Sequence, residues 1–455
     1  MNKVINKKNK YIILMCMISI ASLMVNLDTY IVNVSLPFIA KSFKTNTSNI
    51  SWIVMSYNLM VVSLLLVFGK LGDKIGLKNL FTLGFGIFTV SSIFCGISKT
   101  LSILIISRFI QGIGASILYA LPQAMITKYI PSEKRGMAFG ILASSAALGI
   151  TLGAPLGGLI TGILNWRWIF FINLPIGILA IYQLWKILPK DFLDFSSKKP
   201  FDYLGAVFSF FSALFLTFYI NKLSEMSIFS DLMLLFLVLI IFFTVGFWVR
   251  IKTCKFPLLD INLFKNLSFD MANIAMFLLS AFLAGTNFLM PFYLVEIKEL
   301  NVIEIGFVFM IYSVSYMLTS LVSGYLSSKI KSWVLCVFSM LLAVINILIF
   351  LINAEASNIT FTMIFLMVCG ISFSFFITSN NNLVMAMAKK ENAGMVAGCH
   401  RMVGRLGMLF GVAGFEAIFT LFSTNPLFGF KVSYLFGALI CFIAMICSLP
   451  IKIKN

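Results

Sequence analysis

One acid stands apart in the first apolar run of this sequence, within Leu27-Asp28-Thr29-Tyr30-Ile31-Val32-Asn33-Val34-Ser35-Leu36-Pro37. Between Lys10 and Lys41 the only charged side chain is Asp28. An acid at the centre of a membrane span costs about 2.5–3.5 kcal/mol on insertion scales, so it marks a candidate functional site. Thr29 and Asn33 lie one helical turn apart, and Ser35 falls on a face next to that of Asp28. The span therefore carries a polar stripe suited to a cavity wall. A carboxyl group there can carry a proton or hold a cation.

A second intramembrane charge is Arg108, in Arg108-Phe109-Ile110-Gln111-Gly112-Ile113-Gly114-Ala115 of the fourth apolar run. A buried guanidinium needs an acid, carbonyl groups or water as partner. Counting along alternating spans puts Arg108 about 12 Å from one end of span 4, and Asp28 about 25 Å up span 1 from the other side, at 1.5 Å per residue. The depths match, so Arg108 is expected to bias the charge state of Asp28, directly or through water. A nearby cation favours the charged carboxylate and burial favours the neutral one. Glu416, in the outer part of span 13, is a further candidate for proton or cation binding.

Glycines mark the other motifs. Gly69-Lys70-Leu71-Gly72-Asp73-Lys74-Ile75-Gly76-Leu77-Lys78 follows span 2 and is expected to be a tight charged loop. There Gly69, Asp73, Gly76 and Lys78 would form a conformational latch, since glycine permits a turn and a carboxylate can pair with a cation or helix N-terminus. In span 5, Gly149, Gly153 and Gly157 recur every four residues, with Gly158 beside them, which suits close helix packing. Pro155 lies between them and removes one backbone hydrogen bond. Trp166 and Trp168 read as interface anchors.

These residues need spans to hold them. The chain has 455 residues, 60% of them hydrophobic and 11% charged, which is not a soluble composition. About fourteen apolar runs of spanning length stand near 11–37, 48–68, 79–98, 101–122, 136–162, 167–187, 203–221, 232–250, 269–294, 303–325, 332–352, 359–378, 395–421 and 432–450. The fold class is therefore an all-α polytopic membrane protein. With both termini in the cytoplasm, inner segments hold 24 Lys and Arg residues and outer segments 7, as the positive-inside rule requires. The net charge of +18 thus reflects topology and not nucleic-acid binding. Eight scattered cysteines and one histidine suggest neither a disulfide framework nor a metal site. No P-loop is present, and no constellation of nucleophile and base points to an enzyme.

A degenerate repeat relates Gly69–Ile75 to Gly324–Ile330. It implies two six-helix halves, residues 1–187 and 269–455, with a linker and two inserted spans over 188–268. Secondary transporters place substrate near the midplane between such halves. Tyr30, Asn33, Tyr57, Gln111, Asn287 and Tyr293 are the candidate cavity wall.

The set resembles the major facilitator superfamily, and within it the fourteen-span drug:proton antiporter family. The resemblance rests on Leu27–Pro37, Trp52–Leu59, Gly69–Lys78, Arg108–Ala115, Gly149–Gly158 and Trp166–Pro175. Tyr30 departs from the usual threonine, and Ser328 replaces the acid in the second-half repeat. The resemblance implies a monomeric, cofactor-free exporter in the cytoplasmic membrane, moving drugs or amphiphiles, often cationic, in exchange for protons. The rival readings are a narrow exporter of tetracycline-like drugs or an endogenous metabolite, a nutrient importer, and a non-transporting receptor or scaffold.

Overall fold

A computed structural model describes residues 7–130, 132–187, 202–222, 230–254, 266–354, 358–387, 393–422 and 425–450. Among them every regular element is a helix: α1 (Lys7–Phe43), α2 (Thr47–Ile75), α3 (Leu77–Ile97), α4 (Leu101–Tyr129), α5 (Ser132–Ile163), α6 (Trp168–Phe171), α7 (Asn173–Ile187), α8 (Tyr203–Lys222), α9 (Asp231–Thr253), α10 (Leu267–Glu296), α11 (Val302–Lys329), α12 (Ser332–Asn353), α13 (Thr360–Ala386), α14 (Ala393–Leu421) and α15 (Pro426–Cys447). Among the described residues, thirteen helices are long and apolar enough to cross a membrane, counting α6 and α7 as one, and α8 carries a shorter apolar stretch. The chain is a multi-pass, all-helical membrane protein. In lipid the backbone must satisfy its own hydrogen bonds, which helices do without a partner.

Successive helices alternate in direction, so the bundle has a near end, holding the start of α1, and a far end. Helix starts at the far end are capped by polar side chains. Asn46 accepts from Asn49 N at 2.9 Å, and Asn425 from Phe428 N at 3.1 Å. Asn301 and Glu304 cap each other's backbone at the start of α11. Glu304 therefore works as a helix cap.

Two helix boundaries differ from the sequence expectation. The stretch Gly69–Ile75 is not a loop, because α2 continues to Ile75. The chain breaks only at Gly76, whose φ of 100° suits glycine and whose N–H bonds Gly72 O at 3.1 Å. Span 6 is likewise interrupted, with α6 and α7 meeting at Ile172.

The first seven helices pack mainly as α1 on α5, α2 on α4 and α3 on α4, and the last six as α10 on α14, α11 on α13 and α12 on α13. The two sets meet where α5 crosses α11, α2 crosses α14 and α1 crosses α10. Helices α8 and α9 pair with each other, and α9 leaves most of its apolar surface open, as a lipid-facing helix should.

Candidate functional site

Asp28 lies in the middle of α1 and is fully buried. Arg108 stands two turns into α4, whose start is fixed by Thr100 accepting from Ile103 N. The two meet directly: Arg108 Nη1 donates to Asp28 Oδ2 at 2.5 Å. Gln111, three residues on and on the same helix face, completes the site. Its Oε1 accepts from Arg108 Nη1 at 2.7 Å, and its Nε2 donates to Asp28 Oδ1 at 3.1 Å and to Ser92 Oγ at 2.8 Å. From the start of α7, Asn173 Nδ2 adds a bond to Asp28 Oδ1 at 3.1 Å. The carboxylate accepts three N–H donors from two other helices, an arrangement that suits its ionised form.

Arg108 has neutral hosts as well. Its Nε donates to Ile53 O at 3.2 Å, and its guanidinium carbon lies 4.1 Å from the centroid of the Tyr57 ring. A cation over an aromatic face is attracted by the ring quadrupole, more strongly when water is excluded. Tyr57 is fully buried, and its hydroxyl has no hydrogen-bond partner among the described residues.

The glycines of α5 frame this site. A Cβ on Gly149 would stand 2.5 Å from Leu23 O, one on Gly153 2.6 Å from Tyr30 Cβ, and one on Gly157 2.7 Å from Ile31 O. They let α5 lie against the stretch of α1 that carries Asp28. Gly158 serves a different contact. Its Cβ would stand 2.6 Å from Val302 O and 2.9 Å from Gly306 Cα of α11, across the junction between the two helix sets. Helix α5 runs unbroken through Pro155.

The structure thus brings Asp28, Arg108, Gln111 and Tyr57 together. Tyr30 lies nearby, against Gly153 of α5. Asn33 is buried on α1, its Oδ1 without a hydrogen-bond partner among the described residues, and Asn287 is buried on α10. Tyr293 goes elsewhere. Its hydroxyl donates to Ala354 O at 2.7 Å and its ring stacks on Phe430 at 4.2 Å, inside an aromatic cluster at the far end. It is a packing residue there and not a cavity wall. Glu416 is fully buried in α14, where Thr420 Oγ1 donates to it at 2.8 Å.

The expected latch is not assembled as a loop. Gly69 sits within helix α2 with open space where a Cβ would go. The Asp73 side chain lies outside the described residues. Lys78 is half-buried in the first turn of α3.

Sequence reasoning missed Ser92 and Asn173. Asn173 is a lone amide in Phe171-Ile172-Asn173-Leu174-Pro175, a signal masked by the neighbouring tryptophans. Ser92 gives no signal, because a helix serine can satisfy itself on the preceding turn, as it does with Phe88 O at 2.7 Å.

Comparison with known proteins extends this picture. The family model described as Major Facilitator Superfamily matches residues 18–267 and 272–454. The riboflavin transporter RibZ of Clostridioides difficile is 31% identical, over 96% of this chain and 97% of that protein. Multidrug resistance protein 3 of Bacillus subtilis is 26% identical, over 83% of this chain and 73% of its own length. Among solved structures, the nucleoside transporter NupG superposes with a TM-score of 0.69 at 13% identity, covering 96% of this chain and 98% of that one. A bacterial homologue of the human lysosomal transporter Spinster gives 0.68 at 14% identity, covering 95% of each chain. A transporter and not an enzyme, this chain belongs to the Major Facilitator Superfamily.

Proposed function

We propose that the chain is a proton-coupled antiporter of the fourteen-span drug:proton type, exporting drugs or amphiphilic compounds from the cytoplasm. The observation that carries this is the fully buried Asp28–Arg108 pair, cross-linked by Gln111 and Asn173. When Asp28 takes a proton, its charge pairing with Arg108 ends and the bonds from Gln111 and Asn173 weaken. Helices α1, α4 and α7 then lose part of what fixes them to one another, which lets residues 1–187 and 269–455 rock as two halves around the linker region 188–268. Glu416 is the second acid available for coupling. Both termini lie on the cytoplasmic side in this reading, so the far end faces outward.

The test is proton-gradient-driven uptake of a panel of amphiphilic drugs into inside-out vesicles. Asp28→Asn should lose the dependence on the gradient. Wild-type coupling in that variant would remove Asp28 from the mechanism.

One observation favours a second reading. The 31% identity with a riboflavin transporter extends over nearly the full length of both proteins, which supports a narrow transporter of planar heteroaromatic metabolites. Direction of flux separates the two: accumulation of riboflavin in intact cells favours uptake.

A further inference from the structure

The space between α4 and α14 holds a cluster that the Asp28 site does not use. On α14, Arg401 and Arg405 lie one helical turn apart. On α4, Tyr119 and Gln123 are spaced in the same way and face them. The guanidinium of Arg405 lies 4.0 Å from the centroid of the Tyr119 ring. Arg401 donates to the side-chain oxygen of Gln123, once that amide is oriented by its partners. Helices α4 and α14 are not closely packed neighbours, so these side chains span a gap between the two helix sets.

Two features of this cluster need explaining. Like charges one turn apart on a helix repel. Moreover, among the described residues neither arginine has a carboxylate partner. Asp28 is already engaged by Arg108, Gln111 and Asn173. Both arginines instead have neutral partners, an amide and an aromatic face, and Arg401 remains exposed while Arg405 is half-buried. The aromatic side is held in place: Tyr119 Oη donates to Asn26 Oδ1 at 3.0 Å, and Asn26 in turn donates to Ser22 O at 2.7 Å.

We propose that this gap is a binding site for organic anions that carry a planar ring, such as aromatic carboxylates. Arg401 and Arg405 hold the anionic group, because a guanidinium pair supplies charge-assisted, bidentate hydrogen bonds. The ring rests against Tyr119, beside the guanidinium of Arg405. This names the substrate class of the transporter proposed above and rests on that reading. It also reverses the sign of substrate that the lone acid in span 1 suggests.

The experiment is equilibrium binding to the purified full chain in neutral detergent, without a proton gradient. The probes are 2-naphthoate, 2-naphthylmethylammonium and 2-naphthamide, which share a ring and differ in charge. The expected order places naphthoate at least about tenfold tighter than the ammonium, the worth of one charge-assisted bond. Arg405→Gln and Arg401→Gln should each weaken naphthoate by a similar factor and leave naphthamide within about threefold. Arg405→Lys keeps the charge and should retain the preference for the anion. Equal or tighter binding of the ammonium to the wild type overturns the proposal with no variant needed. So does naphthoate binding that is unchanged in the double Gln variant. Anion recognition is read here at equilibrium without a gradient and proton coupling by gradient-driven uptake in vesicles, so a failure of the one and a failure of the other are read in separate assays.

Discussion

Arg108 and Gln111 are bonded to each other while both hold the same carboxylate, Asp28. The arginine takes one oxygen and the glutamine the other. Removing any one member therefore leaves the other two bonded to each other, each short of one buried partner.

Truncating the cation should be the most damaging single change. Arg108→Ala leaves the Asp28 carboxylate buried without its counter-ion, and about 3–5 kcal/mol of stability should be lost. The double variant Asp28→Asn with Arg108→Gln should recover much of this, because no net charge is then buried. Thermal unfolding of the purified proteins reads both effects. Equal stability of the single and double variants would mean that the pair contributes no charge pairing.

Tyr57 separates ring from hydroxyl. Its hydroxyl is unpartnered among the described residues, so Tyr57→Phe should change stability by no more than about 0.5 kcal/mol. Tyr57→Leu removes the aromatic face under Arg108 and should cost about 2 kcal/mol or more, the upper range for a desolvated cation–π contact. Denaturation of the two variants side by side is the check.

The glycines predict opposite outcomes at two positions. At Gly69 a Cβ meets open space inside a helix, so Gly69→Ala should stabilise by about 0.5–1 kcal/mol. At Gly158 a Cβ would press on Val302 O and Gly306, and Gly158→Ala should cost about 1–3 kcal/mol through overpacking. Spin labels on the far ends of α5 and α11 should report a wider separation in the Gly158 variant. An unchanged distance would show that this crossing yields elsewhere.

Asn173 and Ser92 test the supporting bonds. Asn173→Ala removes a donor to a charged acceptor and should destabilise by about 1.5–3 kcal/mol. Ser92→Ala removes an acceptor for Gln111 and Asn173, and should cost about 1–3 kcal/mol by leaving buried donors unpaired. Unfolding midpoints measure both, and an Asn173→Ala protein as stable as wild type would place the amide outside the network.

Much of this site could be read before any coordinates. Apolar runs fix depth along a span, and depth alone pairs Asp28 with Arg108. What depth leaves open is rotation about the helix axis. Tyr293 and Gln111 look alike as polar groups in apolar spans, yet one faces an aromatic core and the other the carboxylate. Arg401 and Arg405 are visible as charges near the start of span 13, but their meaning depends on what α4 presents across the gap. The stretch before Gly76 reads as a turn from its glycines and charges. A helix at the membrane edge satisfies its own backbone whatever its composition, so α2 continues until a residue takes a positive φ.

The neutral company around Arg108 has a consequence for any moment at which Asp28 is uncharged. The Ile53 carbonyl, the Gln111 oxygen and the Tyr57 face do not gain or lose protons near neutral pH. They still cradle the guanidinium after its counter-ion is neutralised. An arginine held only by its acid would be stranded in that instant, and the helices would have to rearrange at once. Here the cation keeps a berth, so in the proposed coupling mechanism the uncharged intermediate can persist long enough for slower motions of the bundle to follow.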